Sequence, residues 1–296
     1  MPISFIKMNG AGNDFVIFDS RKNPIRLTRE QVQKIAARDN SITKGCDQVI
    51  VMESSKDADV FMRIYNADGG EVDACGNATR CVAELLEKEL GRLPVNIQTN
   101  AGILQGVKKV KLEDGEHILV NMGKPLLQEK QIPLGVPTNE AIRLIEEFSN
   151  LKAPMFISMG NPHVVFFLKF DPKKSGGNIS PLSQVDLKNI GFQLEHFKKV
   201  FPVGVNVSIA ILHYSGNDNK YVIDARVWER GAGLTAACGT AACAMLVAAN
   251  QLNANIRKAF VCFHPSAQGV SVRISDNGDV LLGGFIETEF TGELEL

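Results

Sequence analysis

Short runs of aliphatic and β-branched residues, separated by glycine, Asp-Gly or asparagine, recur along most of the chain. Runs of this kind are typical of short β-strands bounded by turns. In the first part of the chain the pattern predicts strands at VIVM (49–52), DVFMRIY (59–65), NIQTN (96–100), GILQGVKKV (102–110) and HILVNM (117–122). Their counterparts further along the chain behave alike, so a strand-rich protein is expected.

One helix is predicted within each series of strands. Residues 77–90 (NATRCVAELLEKEL) precede Gly91, a natural helix stop, and carry one apolar stripe made of Cys81, Val82, Leu85, Leu86 and Leu90. Residues 240–252 (TAACAMLVAANQL) are apolar nearly all round, which predicts deep burial. Each series should therefore form a sheet wrapped about one central helix, an α+β arrangement.

The chain contains an internal repeat. Residues 61–81 (FMRIYNADGGEVDACGNATRC) resemble residues 224–243 (DARVWERGAGLTAACGTAAC), and the matched residues lie 163 positions apart. Upstream, GNDFVIF (12–18) resembles GNPHVVF (160–166), and GCDQVIV (45–51) resembles GVNVSI (204–209) with one gap. The alignment places Arg63, Asn66, Gly70 and Cys75 opposite Arg226, Glu229, Gly233 and Cys238. Two halves of one duplicated fold are expected.

The repeat divides the chain into residues 1–123 and residues 124–296, with 286–296 as a tail that could pack back on the first half. The join lies in 124–154, where prolines break regular structure and AIRLIEEFSN (141–150) reads as a short surface helix. An active site in a cleft between the halves is expected.

Composition narrows the class of partner. The 296 residues are 45% hydrophobic and 22% charged, an ordinary globular balance, and the net charge is −1. This charge favours neither nucleic acid nor an anionic membrane, so a small-molecule substrate is expected. The chain starts without a secretory signal pattern and has no unbroken apolar stretch of roughly 18 residues, which indicates a cytoplasmic protein with reduced thiols.

Cys75 and Cys238 are the candidate chemistry. Each precedes a glycine directly before a predicted central helix, in ACGN (74–77) and ACGT (237–240). Free N–H groups at a helix start stabilise a thiolate and bind a carboxylate. Two such sulfurs on opposite faces of an amino acid's α-carbon would supply a base and an acid for inversion, one as thiolate and one as thiol. No cofactor and no metal are called for, and the helix-end N–H groups would stabilise the developing charge.

At these residues the chain closely resembles the diaminopimelate epimerases. The matching segments are NGAGNDF (9–15), YNADGGEVDACGNATRC (65–81), MGNPHVV (159–165), VWERGAG (227–233) and ACGTAAC (237–243). The resemblance implies two pseudo-symmetric, β-barrel-like domains and cofactor-independent interconversion of LL- and meso-diaminopimelate, on the route to lysine and peptidoglycan precursors. Oligomeric state stays open, with a homodimer as one candidate.

The resemblance also implies the site. Cys75 and Cys238 would be the base and acid, and His163 and Glu229 would lie beside the reacting centre and tune the thiols. The substrate would be held by Asn13, Gln48, Asn66, Gly76, Asn77, Asn161, Asn206, Glu229, Arg230, Gly239 and Thr240. Arg230 suits a bidentate grip on the distal carboxylate. Taken without the family, His163 after Asn-Pro fits a turn residue equally well.

Three residues depart from the family's pattern. Ala78 and Ala241 replace glycines at matched repeat positions, which predicts tighter helix starts and intact chemistry. Leu234 stands where glutamate is frequent, which puts fine substrate selectivity in question.

Other interpretations were weighed against this one. The remaining cysteines, Cys46, Cys81, Cys243 and Cys262, are expected to be small buried hydrophobes. A zinc site is disfavoured because the Cys75/Cys81 and Cys238/Cys243 spacings do not share a helix face. Arg63 and Arg226 could form structural ion pairs and stay unassigned.

Gly231-Ala-Gly-Leu-Thr-Ala fits a dinucleotide-binding fingerprint and would suggest a dehydrogenase. The next strand, AFVCF, ends in His264-Pro265 where an acidic residue would be needed, and the flanking pattern reads as antiparallel without βαβ units. A proline racemase or hydroxyproline epimerase is the main alternative, since it uses the same two-thiol logic. A relative without thiols is disfavoured by the two Cys-Gly helix starts.

Overall fold

The computed structural model describes residues 2–112, 115–168, 181–215, 220–266 and 268–295. These residues form two compact units. The first comprises Met1–Asn121 with Leu282–Leu296, and the second comprises Met122–Leu281. The end of the chain thus belongs to the first unit, whereas the division made from the repeat assigned 124–296 to the second half with only a tail from 286 onward in question.

The first unit is built mainly from strands. Its elements are β1 (Ile3–Gly10), β2 (Asn13–Asp19), α1 (Arg29–Ala36), β3 (Gln48–Glu53), β4 (Val60–Asn66), β5 (Glu71–Val72), α2 (Gly76–Leu90), β6 (Val95–Thr99), β7 (Gly102–Leu112), β8 (Gly115–Asn121) and, from the chain end, β17 (Ile286–Leu294). Strand β2 runs parallel to β3, β3 antiparallel to β4, and β4 parallel to β6. Strand β1 pairs antiparallel with both β2 and β17.

The second unit repeats the order of strands about the central helix and adds a 3₁₀ turn and further helices. Its elements are a 3₁₀ turn (Glu129–Gln131), α3 (Thr138–Ser149), β9 (Met155–Ser158), β10 (Pro162–Phe167), α4 (Pro181–Gln184), α5 (Leu187–Glu195), β11 (Asn206–Ser215), β12 (Lys220–Glu229), β13 (Gly233–Thr235), α6 (Gly239–Leu252), β14 (Lys258–Phe263), β15 (Gln268–Ile274) and β16 (Val280–Gly284), whose last residues count with the first unit. Strand β10 runs parallel to β11, β11 antiparallel to β12, and β12 parallel to β14. The α+β class is confirmed.

The two central helices start in the same way. Cys75 caps α2 with φ −144° and ψ 113°, and Cys238 caps α6 with φ −140° and ψ 115°. Each helix begins one residue earlier than expected, at Gly76 and Gly239. Helix α6 is buried along most of its length, whereas the last turn of α2, residues 88–90, is exposed. The apolar stripe predicted to reach Leu90 therefore ends a turn sooner.

One central helix per half, α2 and α6, was expected and is present, but the short helices α1, α4 and α5 were not predicted. Helix α1 is a short helix with a capping box between Thr28 and Gln31, and α4 and α5 lie between β10 and β11. Helix α5 approaches β12 so closely that a Cβ on Gly191 would lie 2.4 Å from the Trp228 side chain. Helices of eight or nine residues contain only about two turns, too few for a clear apolar period among strand signals.

The segment expected to be a short surface helix is longer and partly buried. Helix α3 begins at Thr138, and its Ala141 and Ile145 belong to the hydrophobic core of the second unit.

The expectation that βαβ units are absent was also wrong. Strands β4 and β6, and likewise β12 and β14, are parallel pairs connected through a central helix, because the helix carries the chain back before the next strand begins. No helix among the described residues is long and apolar enough to cross a membrane.

Candidate active site

In the first unit four polar positions meet at one edge of the sheet. Asn13 begins β2, Gln48 begins β3, Asn66 ends β4, and Cys75 caps α2. They meet because β2 and β3 are parallel while β4 runs the other way, opposite Gln48 at Asn66. The Gln48 amide donates to the Asn66 oxygen at 2.9 Å, and the Cys75 Sγ lies 3.8 Å from Asn13 Oδ1.

The Cys75 thiol is not used to cap its helix. Its carbonyl accepts from the Thr79 N–H at 2.9 Å and from the Thr79 hydroxyl at 2.8 Å, whereas its side chain makes no capping hydrogen bond. The buried Asn77 accepts from Arg80 Nη2 at 2.7 Å, so its amide oxygen is turned onto the helix. The helix start therefore presents its backbone N–H groups and a thiol together.

The second unit has the equivalent edge. Asn161 directly precedes β10, Asn206 begins β11, Glu229 ends β12, and Cys238 caps α6. Asn206 is buried, donates to the Pro162 carbonyl at 3.0 Å and accepts from the Arg230 N–H at 2.9 Å. These two backbone bonds give it a structural task as well as its expected place among the substrate contacts.

A chain of polar contacts leads from His163 to Cys238. The His163 Nε2 lies 3.0 Å from Asn161 Oδ1, Asn161 Nδ2 donates to Thr240 Oγ1 at 3.3 Å, and that hydroxyl lies 3.5 Å from Cys238 Sγ. Because the asparagine oxygen can only accept, Nε2 carries the proton, and the buried Nδ1 has no hydrogen-bond partner in the described part of the chain. His163 lies inside β10, so a turn role is excluded.

His163 is held neutral. Burial lowers its pKa to about 3, and the positive charge of Arg230 acts in the same direction. Both causes disfavour an imidazolium, so the ring can donate from Nε2 and accept at Nδ1 at neutral pH.

Cys238 is held as a thiol. Burial raises its pKa well above the ordinary cysteine value, and the neighbouring Glu229 carboxylate raises it further, while Thr240 and the Ala241 N–H act the other way. Burial also raises the pKa of Glu229, an effect reduced by hydrogen bonds from Cys238 and Thr235. The Thr235 hydroxyl donates to Glu229 Oε1, a contact that the sequence did not suggest. At neutral pH Cys238 therefore keeps its proton.

Arg230 follows Glu229 at the end of β12 and is exposed, with Nη1 donating to the Val203 carbonyl at 3.0 Å. Its stem crosses Gly204, where a Cβ would lie 2.9 Å from Arg230 Cδ. The guanidinium is thus supported by backbone while most of its donors face outward.

A charged cluster next to Asn13 was missed by the sequence analysis. Asp47 Oδ2 accepts from Asn13 Nδ2 at 2.9 Å, and the buried Lys7 lies 2.6 Å from Asp14 Oδ2. Arg38 contacts both carboxylates, at 2.6 Å for Asp14 and 2.5 Å for Asp47. A signal was present, because each acid stands beside a substrate-contact candidate, Asp14 after Asn13 and Asp47 before Gln48.

The other cysteines divide into two groups. Cys46, Cys81 and Cys243 are buried as expected, and burial raises the pKa of Cys46 and of Cys81 to about 12. Cys262 is only partly buried, which corrects the expectation for it, because alternate residues of β14 lie on its more exposed face.

The two arginines left unassigned are structural. Arg63 pairs with Glu53 and with Glu71, each at 2.7 Å. Arg226 donates from Nη1 to the carbonyls of Leu182 and Val185.

The dinucleotide interpretation fails on geometry. The glycines at 231 and 233 lie in the tight turn between β12 and β13, where Glu229 is paired with Gly233 across an antiparallel hairpin. Helix α6 begins only at Gly239, so no glycine turn leads directly from a strand into a helix as phosphate binding requires.

Two units with one element order, each with a cysteine capping a buried helix, define a class of duplicated α+β proteins. A PhzF-family phenazine biosynthesis protein from Bacillus anthracis has this fold, with a TM-score of 0.61 and 18% identity over 100% of both chains. A hydroxyproline epimerase from Agrobacterium vitis superposes with a TM-score of 0.57 and 14% identity, covering 100% of this chain and 93% of the other. At such identities the likeness shows the fold alone.

The sequence comparisons are more specific. A family model described as diaminopimelate epimerase matches residues 5–127 and 155–284. The diaminopimelate epimerase of Acidiphilium cryptum is 40% identical over 291 residues, covering 98% of this chain and 96% of that relative, and that of Rhodospirillum centenum is 38% identical over 294 residues, covering 98% and 91%. The chain belongs to the diaminopimelate epimerase family.

Proposed function

We propose that this protein interconverts LL- and meso-diaminopimelate without a cofactor, with Cys75 and Cys238 acting on one α-carbon from opposite faces. The observation that carries the proposal is the matched pair of thiols, each capping a buried helix with no side-chain capping bond. Family membership supports the substrate, because the curated relatives named above are diaminopimelate epimerases.

The surroundings of the two thiols indicate which one acts as the acid and which as the base. Cys238, kept protonated by burial and by Glu229, enters as the acid, and Cys75, the more exposed thiol, enters as the thiolate base. Cys75 takes the α-proton, its S–H bond forming as the α-carbon bond breaks. Cys238 then gives its proton to the opposite face and becomes the thiolate. The reverse reaction uses the same groups with roles exchanged and restores the starting protonation states. Before a second forward turnover, Cys75 must lose its proton to water and Cys238 must regain one.

The negative charge that develops on the substrate must be stabilised. As the α-proton leaves, electron density moves onto the reacting carboxylate. The N–H groups at the starts of α2 and α6 would receive it, with Gly76 and Asn77 on one side and Gly239 and Thr240 on the other. Preorganised dipoles of this kind act without rearrangement at the moment of proton transfer.

The rest of the substrate would be held by polar side chains at the two sheet edges. Arg230 is exposed and positively charged beyond the end of β12, which suits the distal carboxylate. The amides of Asn13, Gln48, Asn66 and Asn161 would bind the ammonium and carboxylate groups. A long substrate with two zwitterionic ends uses all of these contacts, whereas proline would leave several unpaired.

Two further parts of the proposal concern the setting. A cytoplasmic location fits an enzyme of lysine and peptidoglycan precursor synthesis, and a homodimer is the assembly proposed for the working enzyme. Light scattering on the purified protein would test the second point.

The test is proton exchange coupled to inversion. The reduced protein is incubated in deuterated water with LL-diaminopimelate or with L-proline, and α-deuterium incorporation and optical inversion are followed by NMR and chiral chromatography. Diaminopimelate should exchange and invert, and added NAD(H) should change nothing. Inversion of proline with inert diaminopimelate would replace the proposal with a proline racemase activity.

A further inference from the structure

The amide of Asn13 has two different ends with two different neighbours. Its Nδ2 donates to Asp47 Oδ2 at 2.9 Å, and its Oδ1 lies 3.8 Å from the Cys75 Sγ. An asparagine amide is nearly symmetric in shape, so its partners decide which end points where. A carboxylate can only accept, and Asp47 therefore selects the N–H end and leaves the oxygen facing the thiol.

Asp47 is itself fixed by donors. Its Oδ2 also accepts from the Asp14 N–H at 3.1 Å, and its Oδ1 accepts from Arg38 Nη2 at 2.5 Å. Its own N–H donates to Asp14 Oδ1 at 2.9 Å. Burial and the neighbouring Asp14 carboxylate raise the pKa of Asp47, while the bonds from Asn13 and from the Asp14 N–H act the other way. In these contacts every neighbour of the Asp47 oxygens is a donor.

The charge of the cluster is balanced. Lys7 and Arg38 both contact Asp14, and Arg38 reaches Asp47 as well. Lys7 is only 2% exposed, and a buried ammonium persists only when it is paired. Two cations thus contact two carboxylates beside the start of β2, next to Asn13.

We call the Asp47 carboxylate that holds the Asn13 amide the acidic lock, and the described residues of the second unit contain no equivalent of it. Asn161 occupies the place of Asn13, but its oxygen faces His163 and its nitrogen faces Thr240, next to Cys238. The residues that stand where the two acids stand in the first half are Pro162 and, in the shortened loop before Asn206, Val205. The acidic lock is therefore a property of the Cys75 half.

We propose that Asp47 is a positioning residue, whose carboxylate holds the Asn13 amide with its oxygen toward Cys75 so that this oxygen accepts the S–H that forms when Cys75 takes the substrate's α-proton. An acceptor at this distance disfavours the thiolate and favours the thiol, and it thereby strengthens Cys75 as a base. The proton ends on sulfur, shared with Asn13 Oδ1. The role rests on the proposed function of Cys75, but the orientation of the amide can be tested separately.

The decisive variant is Asp47→Ala, which removes the acceptor of the Asn13 Nδ2 donor. The Asn13 amide is then free to turn its NH₂ toward Cys75. A donor there stabilises the thiolate. The alkylation of Cys75 by iodoacetamide, followed by peptide mass mapping from pH 6 to 10, should show a midpoint about one unit lower. At pH 7 the rate should rise only about threefold, because a less basic thiolate is also less nucleophilic.

The same variant should lower kcat for epimerisation about threefold, because the reactivity of the base falls only partly with its pKa. Asp47→Asn can keep an oxygen toward Asn13 and the Asp14 N–H and should give a smaller shift. Asp19→Asn is the matched control, since it breaks the ion pair with Arg21 on the same strand, β2, away from Asn13. The partly exposed Cys262 is the reference thiol within each sample.

An unchanged Cys75 midpoint in Asp47→Ala, with folding intact, would overturn the proposal. Equal acceleration at Cys75 and Cys262 would also overturn it, because it would reveal general loosening. Failure of the proposed function looks different, since Cys75→Ala would then keep its epimerase activity whatever the alkylation profile of Asp47→Ala.

Discussion

The two thiols have the same backbone setting and opposite surroundings. Cys75 and Cys238 cap their helices with nearly identical dihedral angles. Cys75 is partly exposed and faces an amide oxygen, whereas Cys238 is buried between a carboxylate and a hydroxyl. The two halves thus share a sulfur at each helix start and differ in the side chains around it, and the proposed base and acid roles rest on that difference.

The divergence extends to the strands behind them. Phe15 and His163 occupy equivalent places, since each follows the site asparagine by two residues and pairs across a parallel ladder, Phe15 with Gln48 and His163 with Asn206. The phenylalanine leaves Asn13 to be oriented by Asp47. The histidine takes the oxygen of Asn161 and turns its nitrogen toward Thr240. The residue at this position therefore differs between the halves, and so does the group that contacts the site asparagine.

The largest effect should come from removing either thiol. Cys75→Ala and Cys238→Ala should each lower epimerisation by about 10³-fold or more, because inversion needs an acid and a base at once. The measurement is optical inversion of LL-diaminopimelate by purified variants. Cys243→Ala, which removes a buried sulfur from α6 without touching the helix start, is the control and should stay active. Near-full activity in either site variant would end the two-thiol mechanism.

A smaller effect is expected from Glu229→Gln. Burial raises the pKa of Cys238 and the Glu229 carboxylate raises it further, so the neutral amide should let that thiol ionise at a lower pH, although burial still favours the thiol. The variant also removes a charge from the proposed substrate contacts. Epimerisation should fall about 100-fold, and the alkylation midpoint of Cys238 should move down while that of Cys75 stays.

Glu195→Gln provides the matched control for that experiment. Glu195 is also a buried acid of the second unit, but its oxygens accept from Trp228 Nε1 and the Gly231 N–H. It should cost stability without moving the Cys238 midpoint. If Glu195→Gln moved that midpoint as far as Glu229→Gln does, the acid role of Cys238 would not depend on Glu229.

Acidification should lower the free energy of unfolding through His163, whereas Phe15, at the equivalent position, does not titrate. The pKa of His163 is about 3 in the folded protein, below the ordinary value of 6.5, so the unfolded chain binds the proton first. The neutral ring thus supports folding above pH 6.5, and this support is lost as pH falls toward 3. Between pH 6.5 and 4.5 the free energy of unfolding should drop by roughly 2 to 3 kcal/mol from this group.

His163→Phe, which installs the residue of the first half, isolates this contribution. The variant loses the bond to Asn161 and starts less stable, but its stability should change less over the same pH interval. Urea unfolding at pH 6.5 and 4.5 gives the two differences. Equal losses in wild type and variant would show that His163 is not buried as a neutral ring.

Local patterns predicted the strands and both helix starts, because a β-branched run or a Cys-Gly before an apolar helix needs no distant partner to be recognised. The parallel direction of β4 and β6 could not be predicted in this way, since it depends on where α2 returns the chain. His163 was ambiguous for a related reason. Asn-Pro-His is typical of a turn, yet Pro162 begins a strand here.

The hydrogen bond between Asn13 and Asp47 was not predicted because the two residues are far apart in the sequence. Asp47 and Asn13 meet across the parallel pair of β2 and β3, and Arg38 reaches them from the loop after α1. The repeat favoured residues that both halves share, and Asp47 has no partner in the second half. An alignment of the two halves therefore finds what duplication kept and passes over what made the halves different.

The smallest effect is expected at a feature that both halves share, the alanine in the first turn of each central helix. Ala78 and Ala241 are both fully buried in the first turn of their helices, at equivalent positions. Ala78→Gly and Ala241→Gly should each lower the free energy of unfolding by about 1 kcal/mol, because glycine loses more backbone entropy on entering a helix. Urea unfolding measures the loss, and epimerisation should stay within about twofold of wild type, since neither substitution removes an N–H donor. If one variant lost activity while the other did not, the two helix starts would differ in how they bind the carboxylate, and the asymmetry of the halves would reach the backbone as well as the side chains.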